Sequence, residues 1–338
     1  MKRQTRVLRV DPAEPDPSAV SIAAEMMRKG GLVAFPTETV YGLGANAFDS
    51  RAVSRIFLAK GRPIDNPIIV HVAGPGQIEA VAQTVPPQAL ALANRFWPGP
   101  LTLVLGKSAA VSDKVTAGLG TVAVRMPRHP VALGLIRASG VPVAAPSANV
   151  SGRPSGTTGA HVLDDLDGKV DVVLDAGPVE IGVESTVLDL TVSPPAVLRP
   201  GAVTLEELEA VIGPVVLGRR DDLLRRSPGT RHRHYSPRTR LTLVDETDGA
   251  ALSRLVEGCA RGGRRVGVMT RRPELYQGSE VAIVRMMPHQ SAAYASQMFA
   301  AMRELDSQGL DEILVGMVEE EGIGVAVMDR LRRAASGQ

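Results

Sequence analysis

Short apolar runs alternate with amphipathic stretches through the first 212 residues, and that alternation constrains the fold more than anything else in the chain. Leu32–Phe35, Pro67–Ala73, Leu101–Gly106, Thr121–Arg125, Val141–Ala145, Val170–Asp175, Ser185–Leu190 and Ala196–Leu198 read as buried strands. Between them, Ser18–Lys29, Asp49–Lys60, Gln88–Trp97, Pro130–Ser139 and Thr204–Ile212 repeat apolar residues at helical spacing. Ser18 is the expected N-cap of the first helix, and Gly30-Gly31 its stop. A sheet fed by such segments is covered by helices, which makes the class α/β. The connections vary in length, so a mixed, twisted sheet is predicted rather than a regular doubly wound one.

Composition narrows the function classes. With 338 residues and 44% hydrophobic side chains, the chain can bury a core without disulfide or metal staples, and wholesale disorder is excluded. Thirty-eight Lys and Arg against 36 Asp and Glu leave a net charge of +2, which announces no large polyanion footprint. Cys259 is the only cysteine, so neither an intrachain disulfide nor a cysteine zinc site can form. A reducing, cytoplasmic compartment is the expectation. Met1 to Asp16 holds no apolar h-region, and no run approaches the ~20 apolar residues of a membrane span.

The pattern breaks after Ile212. Residues 213–240 run through Gly213, Pro214, an Arg/Asp cluster and Ser-Pro-Gly-Thr-Arg-His-Arg-His-Tyr-Ser-Pro, with no helical or strand period in the second half. They read as an extended linker. From Leu241, strand and helix candidates resume in the order strand, helix, strand, strand, helix, strand, helix, and make a small Rossmann-like three-layer α/β domain. The expected division is therefore 1–212, 213–240 and 241–338.

The usual catalytic signatures are missing. The chain has no Gly-x-Ser-x-Gly elbow and no His-Glu-x-x-His, and Gly106-Lys107-Ser108 follows Leu101 where a phosphate loop needs its first glycine. Gly42-x-Gly44-x-x-Ala47 and Gly118-x-Gly120-x-x-Ala123 both fit the dinucleotide pattern, which shows how little that pattern discriminates alone.

Polar groups gather instead at strand ends. Pro36-Thr37-Glu38-Thr39-Val40-Tyr41-Gly42 places two hydroxyls, a carboxylate and a phenol in a glycine-terminated turn; a polar hairpin is the alternative. Only six lysines stand against thirty-two arginines, so the retained Lys60 draws notice. At a helix C-terminus it complements the dipole, but Arg62 on the following Gly-Pro framed loop needs another reason. Two cations on a rigid loop suit a polyphosphate. His71 lies within an apolar strand, as a core histidine or a ligand contact. Arg125, in another apolar strand, is costly to bury unless an anion accompanies it, and either a substrate carboxylate or an internal Asp or Glu would serve. Ser147 and Asn149 form either an ordinary turn cap or a nucleotide contact. Ser185 and Arg199 stand at further strand ends, where open α/β sheets bind ligands.

Taken in order, Pro-Thr-Glu-Thr-Val-Tyr-Gly-Leu-Gly, Lys-Gly-Arg-Pro-x-x-Asn-Pro, Pro-Ser-Ala-Asn-x-Ser-Gly, Glu-Ser-Thr-Val-x-Asp and Leu-Arg-Pro-Gly resemble the Sua5/YrdC/YwlC family of threonylcarbamoyl-AMP synthases. The His-Tyr-Ser-Pro linker and the domain after it resemble the two-domain Sua5 form. Asp329 stands where many relatives are expected to carry Asn. The resemblance implies a YrdC-like twisted mixed sheet over 1–212, a linker that acts as a lid, and a Sua5 C-terminal domain. It implies condensation of L-threonine, bicarbonate or CO2, and ATP to threonylcarbamoyl-AMP and diphosphate, with Mg2+, as the first step of tRNA N6-threonylcarbamoyladenosine modification. The product would pass to a tRNA threonylcarbamoyltransferase complex. Carried over, the pattern makes Lys60, Arg62, Asn66, Thr121, Ser147, Asn149, Ser155, Arg199 and Tyr235 candidates for ATP, with Lys60 and Arg62 catalytic. Thr39, His71, Arg125, Ala145 and Ser185 become candidates for L-threonine, Arg125 holding its carboxylate. An RNA-binding module and a carbamoyltransferase of the hydrogenase-maturation type are the rival readings.

Overall fold

The computed structural model describes residues 4–218, 234–279 and 281–336. The Arg/Asp cluster and most of the expected linker, 219–233, lie outside them. The chain divides into two compact units: Met1–Ser151, Ser155–Glu180 and Glu184–Arg231 form one, while Gly152–Pro154, Ile181–Val183 and His232–Gln338 form the other.

The first unit is built on one large mixed sheet. Its strands are β1 (Arg6–Arg9), β2 (Val33–Phe35), β3 (Gly42–Asn46), β4 (Val70–His71), β5 (Leu101–Gly106), β6 (Thr121–Arg125), β7 (Val143–Ala144), β8 (Val172–Asp175), β9 (Thr186–Asp189), β10 (Ala196–Arg199) and β11 (Val216–Leu217). They lie in the order β1-β8-β2-β3-β7-β4-β6-β5-β9-β10-β11. The helices are α1 (Pro17–Arg28), α2 (Ser50–Lys60), α3 (Pro75–Val81), α4 (Pro87–Phe96), α5 (Asp113–Thr116), α6 (Pro130–Ser139), α7 (Gly159–Leu166) and α8 (Leu205–Ile212).

β3 joins the two halves of this sheet. Gly42, Leu43 and Gly44 pair antiparallel with β2, whereas Ala45 and Asn46 pair antiparallel with β7. One short strand therefore links β2 on one edge to β7 on the other. The glycines permit it: a Cβ on Gly44 would lie 2.7 Å from the Phe35 ring and 2.8 Å from Val143. The glycine-rich segment expected as a turn is thus a strand at the middle of the sheet.

Other differences have local causes. α1 is capped by Asp16, whose carboxylate accepts from the Ser18 N–H, and Pro17 occupies the first turn, so the cap lies before Ser18. β4 shrinks to two residues although Ile68 and Ile69 are buried, because burial does not require ladder pairing. β1, a segment the sequence pattern leaves unassigned, pairs parallel with β8 at the sheet edge. Two apolar clusters flank the sheet, one including Leu43, Ile56 and Leu103, the other including Met27, Phe35 and Leu135.

The second unit holds β12 (Arg240–Val244), β13 (Val266–Thr270), β14 (Ile283–Met286) and β15 (Glu312–Gly316), with helices α9 (Gly249–Arg261), α10 (Ser291–Asp306) and α11 (Gly324–Ser336). Its strands lie in the order β12-β15-β13-β14, and every pair is parallel. A parallel sheet needs crossovers, and the helical periods supply two of them.

The Leu-Arg-Pro-Gly motif ends in a close backbone approach. A Cβ on Gly201 would stand 2.2 Å from the Thr186 nitrogen and 2.6 Å from the Ser185 carbonyl carbon. Gly201→Ala is therefore expected to lower the melting temperature by roughly 3–10 °C in calorimetry. Gly120→Ala, where a Cβ meets nothing within 4 Å, serves as the control and is expected to shift it little.

Candidate active site

β4 and β6 run parallel in register, with His71 beside Arg125 at the last position of each strand. β7 joins the other side of β4, pairing Val143 with His71. Register partners share a sheet face, so a histidine and an arginine spaced 54 residues apart become neighbours by topology alone.

The loop between β2 and β3 supplies the groups around them. Arg125 donates from Nε to the Gly99 carbonyl at 3.1 Å and from Nη1 to Thr39 Oγ1 at 2.9 Å. Its Nη2 lies 2.8 Å from Glu38 Oε1, and both side chains are almost wholly buried. Thr39 Oγ1 is 2.8 Å from Thr37 Oγ1, which donates to the Val40 carbonyl. Of the two partners open to Arg125 in the sequence, the structure thus supplies the internal acid. Glu38 balances the Arg125 charge.

His71 is buried and its Nδ1 has no partner. Burial, with the nearby Arg125 charge second, pulls its pKa down to about 3. Its imidazole is therefore neutral across the physiological range. The ring meets Phe35 edge-on at 6.3 Å between centroids.

A second group forms around Lys60. Asp49 caps α2 by accepting from the Arg51 and Ala52 N–H groups, and Gly61 ends the helix in the left-handed region at φ 60°. Lys60 does more than complement the helix dipole. Its buried ammonium donates to the Ser147 and Asn149 carbonyls, both at 2.5 Å, and clamps the 147–149 turn. Ser147 Oγ in turn donates to Asn149 Oδ1 at 2.5 Å. Beyond Gly61, Arg62 folds back on its own loop, donating to the carbonyls of Asn66 at 3.2 Å and Pro67 at 2.7 Å.

The third group joins Ser185 to Arg199, which donates from Nε to the Ser185 carbonyl at 3.1 Å and from Nη2 to its hydroxyl at 3.2 Å. Ser185 Oγ also lies 2.7 Å from Thr102 Oγ1. Ser155 donates to Glu184 Oε1 at 2.5 Å.

The structure therefore joins Lys60 with Ser147 and Asn149, Arg62 with Asn66, Thr39 with Arg125 and His71, and Ser185 with Arg199. Ala145 donates its N–H to the Ile69 carbonyl, next to these groups. Thr121 opens β6 at the end opposite Arg125, roughly 13 Å away at ~3.3 Å per residue. Tyr235 belongs to the second unit, at φ 64° and buried, its ring stacked on Phe299 at 5.3 Å with the Arg330 guanidinium 5.6 Å from its centroid. Glu38, Thr102 and Glu184 are among the participants that escaped residue-level selection in the sequence. Glu38 did leave a signal, as the only charged residue between Lys29 and Asp49.

Residues 25–201 match the Sua5/YciO/YrdC family model, described as telomere recombination, and residues 203–336 match that of the threonylcarbamoyl-AMP synthase C-terminal domain. The chain belongs to the Sua5/YrdC family, in its two-domain form. It is 49% identical over 324 residues to the threonylcarbamoyl-AMP synthase of Pyrococcus abyssi, covering 94% of each chain. To the enzyme of the same name from Bacillus subtilis it is 46% identical over 325 residues, covering 94% of this chain and 93% of the relative. The crystal structure of P. abyssi Sua5 complexed with L-threonine matches it with a TM-score of 0.92 at 45% identity, over 98% of both chains. Among the described residues, no helix is long and apolar enough to cross a membrane.

The neutral His71 has a measurable consequence. Its folded-state pKa lies below the unfolded value near 6.5, so the unfolded chain takes up the extra proton as pH falls. This histidine therefore makes stability decline from about pH 6.5 toward 3, and costs nothing of this kind above that window. The His71 Cε1 NMR signal is expected not to titrate between about pH 5 and 8. A midpoint near 6.5 would contradict its burial.

Proposed function

We propose that this enzyme joins L-threonine, bicarbonate or CO2, and ATP into threonylcarbamoyl-AMP and diphosphate, the first step of tRNA N6-threonylcarbamoyladenosine modification. Support comes from relatives of that name aligned along nearly the whole chain. The observation that carries the chemistry is the set of buried cations at loops and strand ends: Lys60, Arg62, Arg125 and Arg199.

The reaction needs the threonine amine to attack a one-carbon carboxyl source. The resulting carbamate oxygen must then attack the α-phosphorus of ATP, expelling diphosphate. Neither step demands a protein nucleophile. Both demand that reactants be held together and that negative charge be met as it develops. Lys60 and Arg62, with Asn66, Ser147, Asn149, Ser155, Thr121 and Arg199, are assigned to ATP, Lys60 and Arg62 nearest the departing phosphates. Thr39, His71, Arg125, Ala145 and Ser185 are assigned to threonine. The neutral His71 can accept a hydrogen bond without adding charge. Tyr235 and the linker are assigned to closure over the nucleotide, which would keep water from a labile carbamate and mixed anhydride.

The candidate nucleotide groups are cations, hydroxyls and an amide, which suit phosphate oxygens directly. Mg2+ fits this set as an ion carried on the phosphates and completed by water, and it would supply charge neutralisation there. We assign the product to a downstream tRNA threonylcarbamoyltransferase complex and the enzyme to the cytoplasm.

Purified protein given L-threonine, bicarbonate, ATP and Mg2+ is expected to release diphosphate without RNA. Strict dependence on tRNA would favour an RNA-binding module instead. Arg62→Ala is expected to raise the KM for ATP about tenfold or more while threonine KM changes little, and Arg125→Ala the reverse. An unchanged threonine KM in Arg125→Ala would remove Arg125 from the threonine subsite.

A further inference from the structure

Glu38 is a buried acid of the candidate site that the reaction scheme leaves unused. Among the described residues it is the only carboxylate with both oxygens buried and without a hydrogen-bond partner. Other buried carboxylates are served: Glu184 accepts from Ser155, Glu246 from Thr270 and Tyr276, and Glu312 from Thr242 and Arg264. The hydroxyls flanking Glu38 are turned elsewhere, Thr37 to the Val40 carbonyl and Thr39 to Thr37 and Arg125. A carboxylate retained in a protein interior merely to brace a loop would recruit such donors.

What Glu38 has is Arg125, 2.8 Å away but outside hydrogen-bonding alignment, since the facing Arg125 Nη2 is also without an aligned partner. The guanidinium is oriented by Gly99 and Thr39. Glu38 therefore contributes charge rather than direction. His71, beside Arg125, and His129, within reach of the Glu38 charge, add no compensating charge. Burial holds His71 at about 3, and burial likewise lowers His129 against the opposing pull of Glu38 and Glu180.

We propose that Glu38 is a positioning and specificity residue: by balancing Arg125 it gives the amino-acid subsite no net charge, so that the subsite takes a zwitterionic α-amino acid and turns away the corresponding α-hydroxy acid. This rests on the assignment of Arg125 to the threonine subsite. A lone buried arginine would attract any carboxylate. Beside Glu38, an anion meets repulsion that offsets the attraction, whereas a zwitterion brings an ammonium that Glu38 favours. Arg125 keeps its hold on the carboxylate, and Glu38 acts through the field it sets there.

The test compares binding of L-threonine and of (2S,3R)-2,3-dihydroxybutanoate, its analogue with hydroxyl in place of ammonium, to the full chain by calorimetry. Wild type is expected to favour threonine at least tenfold. Glu38→Gln is expected to weaken threonine about tenfold while the hydroxy acid binds as well as before or better, and Glu38→Asp to restore the preference. Equal weakening of both ligands, or no change in either, overturns the proposal. If Glu38→Gln does not fold, the wild-type ratio decides alone: below tenfold it overturns the proposal, at tenfold or above it supports it. Arg125→Ala separates the two levels. If it leaves threonine binding intact, the subsite assignment itself has failed; if it abolishes binding while Glu38→Gln leaves the ratio intact, only the role of Glu38 has.

Discussion

Four buried cations set the terms for the first unit of this protein, because each must be met by oxygen atoms before the chain can close around it. An unpaired buried charge costs several kcal/mol, and each charge-assisted hydrogen bond returns about 1.5–3. Lys60 is met by the carbonyls of the 147–149 turn, Arg62 by those of Asn66 and Pro67, and Arg199 by Ser185. Arg125 draws on a carboxylate as well as a carbonyl and a hydroxyl. The loops are thus folded around their cations. A site prepared in this way pays its reorganisation at folding, which is the condition for electrostatic stabilisation of a polyanionic leaving group.

The same bonds explain why the motifs occupy short irregular segments between regular elements. Carbonyls paired in a ladder are less free to turn toward a side chain, so the oxygens that hold Lys60 and Arg62 come from loops. β4 fits this logic. Its two paired residues are enough to set His71 beside Arg125, while Ile68 and Ile69 remain buried without pairing as strand.

How much of this was legible in the sequence depended on distance along the chain. β5 and β6 were read with the bounds the structure gives, since both are continuous apolar runs. β3 was not, because Gly-Leu-Gly-Ala-Asn has poor strand propensity and its glycines serve a close approach visible only in three dimensions. β1 was missed because its arginines mask an edge strand, where polar residues are tolerated. α5 has four residues and α3 seven, too few for a helical period to emerge. Within the site, the cations stood out by their type and their loops. The pairing of Glu38 with Arg125 did not, because it depends on the alignment of β4 with β6 and of the loop that follows β2.

Tyr235 shows the limit from the other side. A tyrosine in a polar, proline-framed segment reads as an exposed group free to reach a ligand. Here His234 onward belongs to the second unit, and the phenol ring stacks on Phe299 with the guanidinium of the fully buried Arg330 5.6 Å from its centroid. A left-handed backbone at a non-glycine residue costs about 1 kcal/mol or more, so packing must hold it in place.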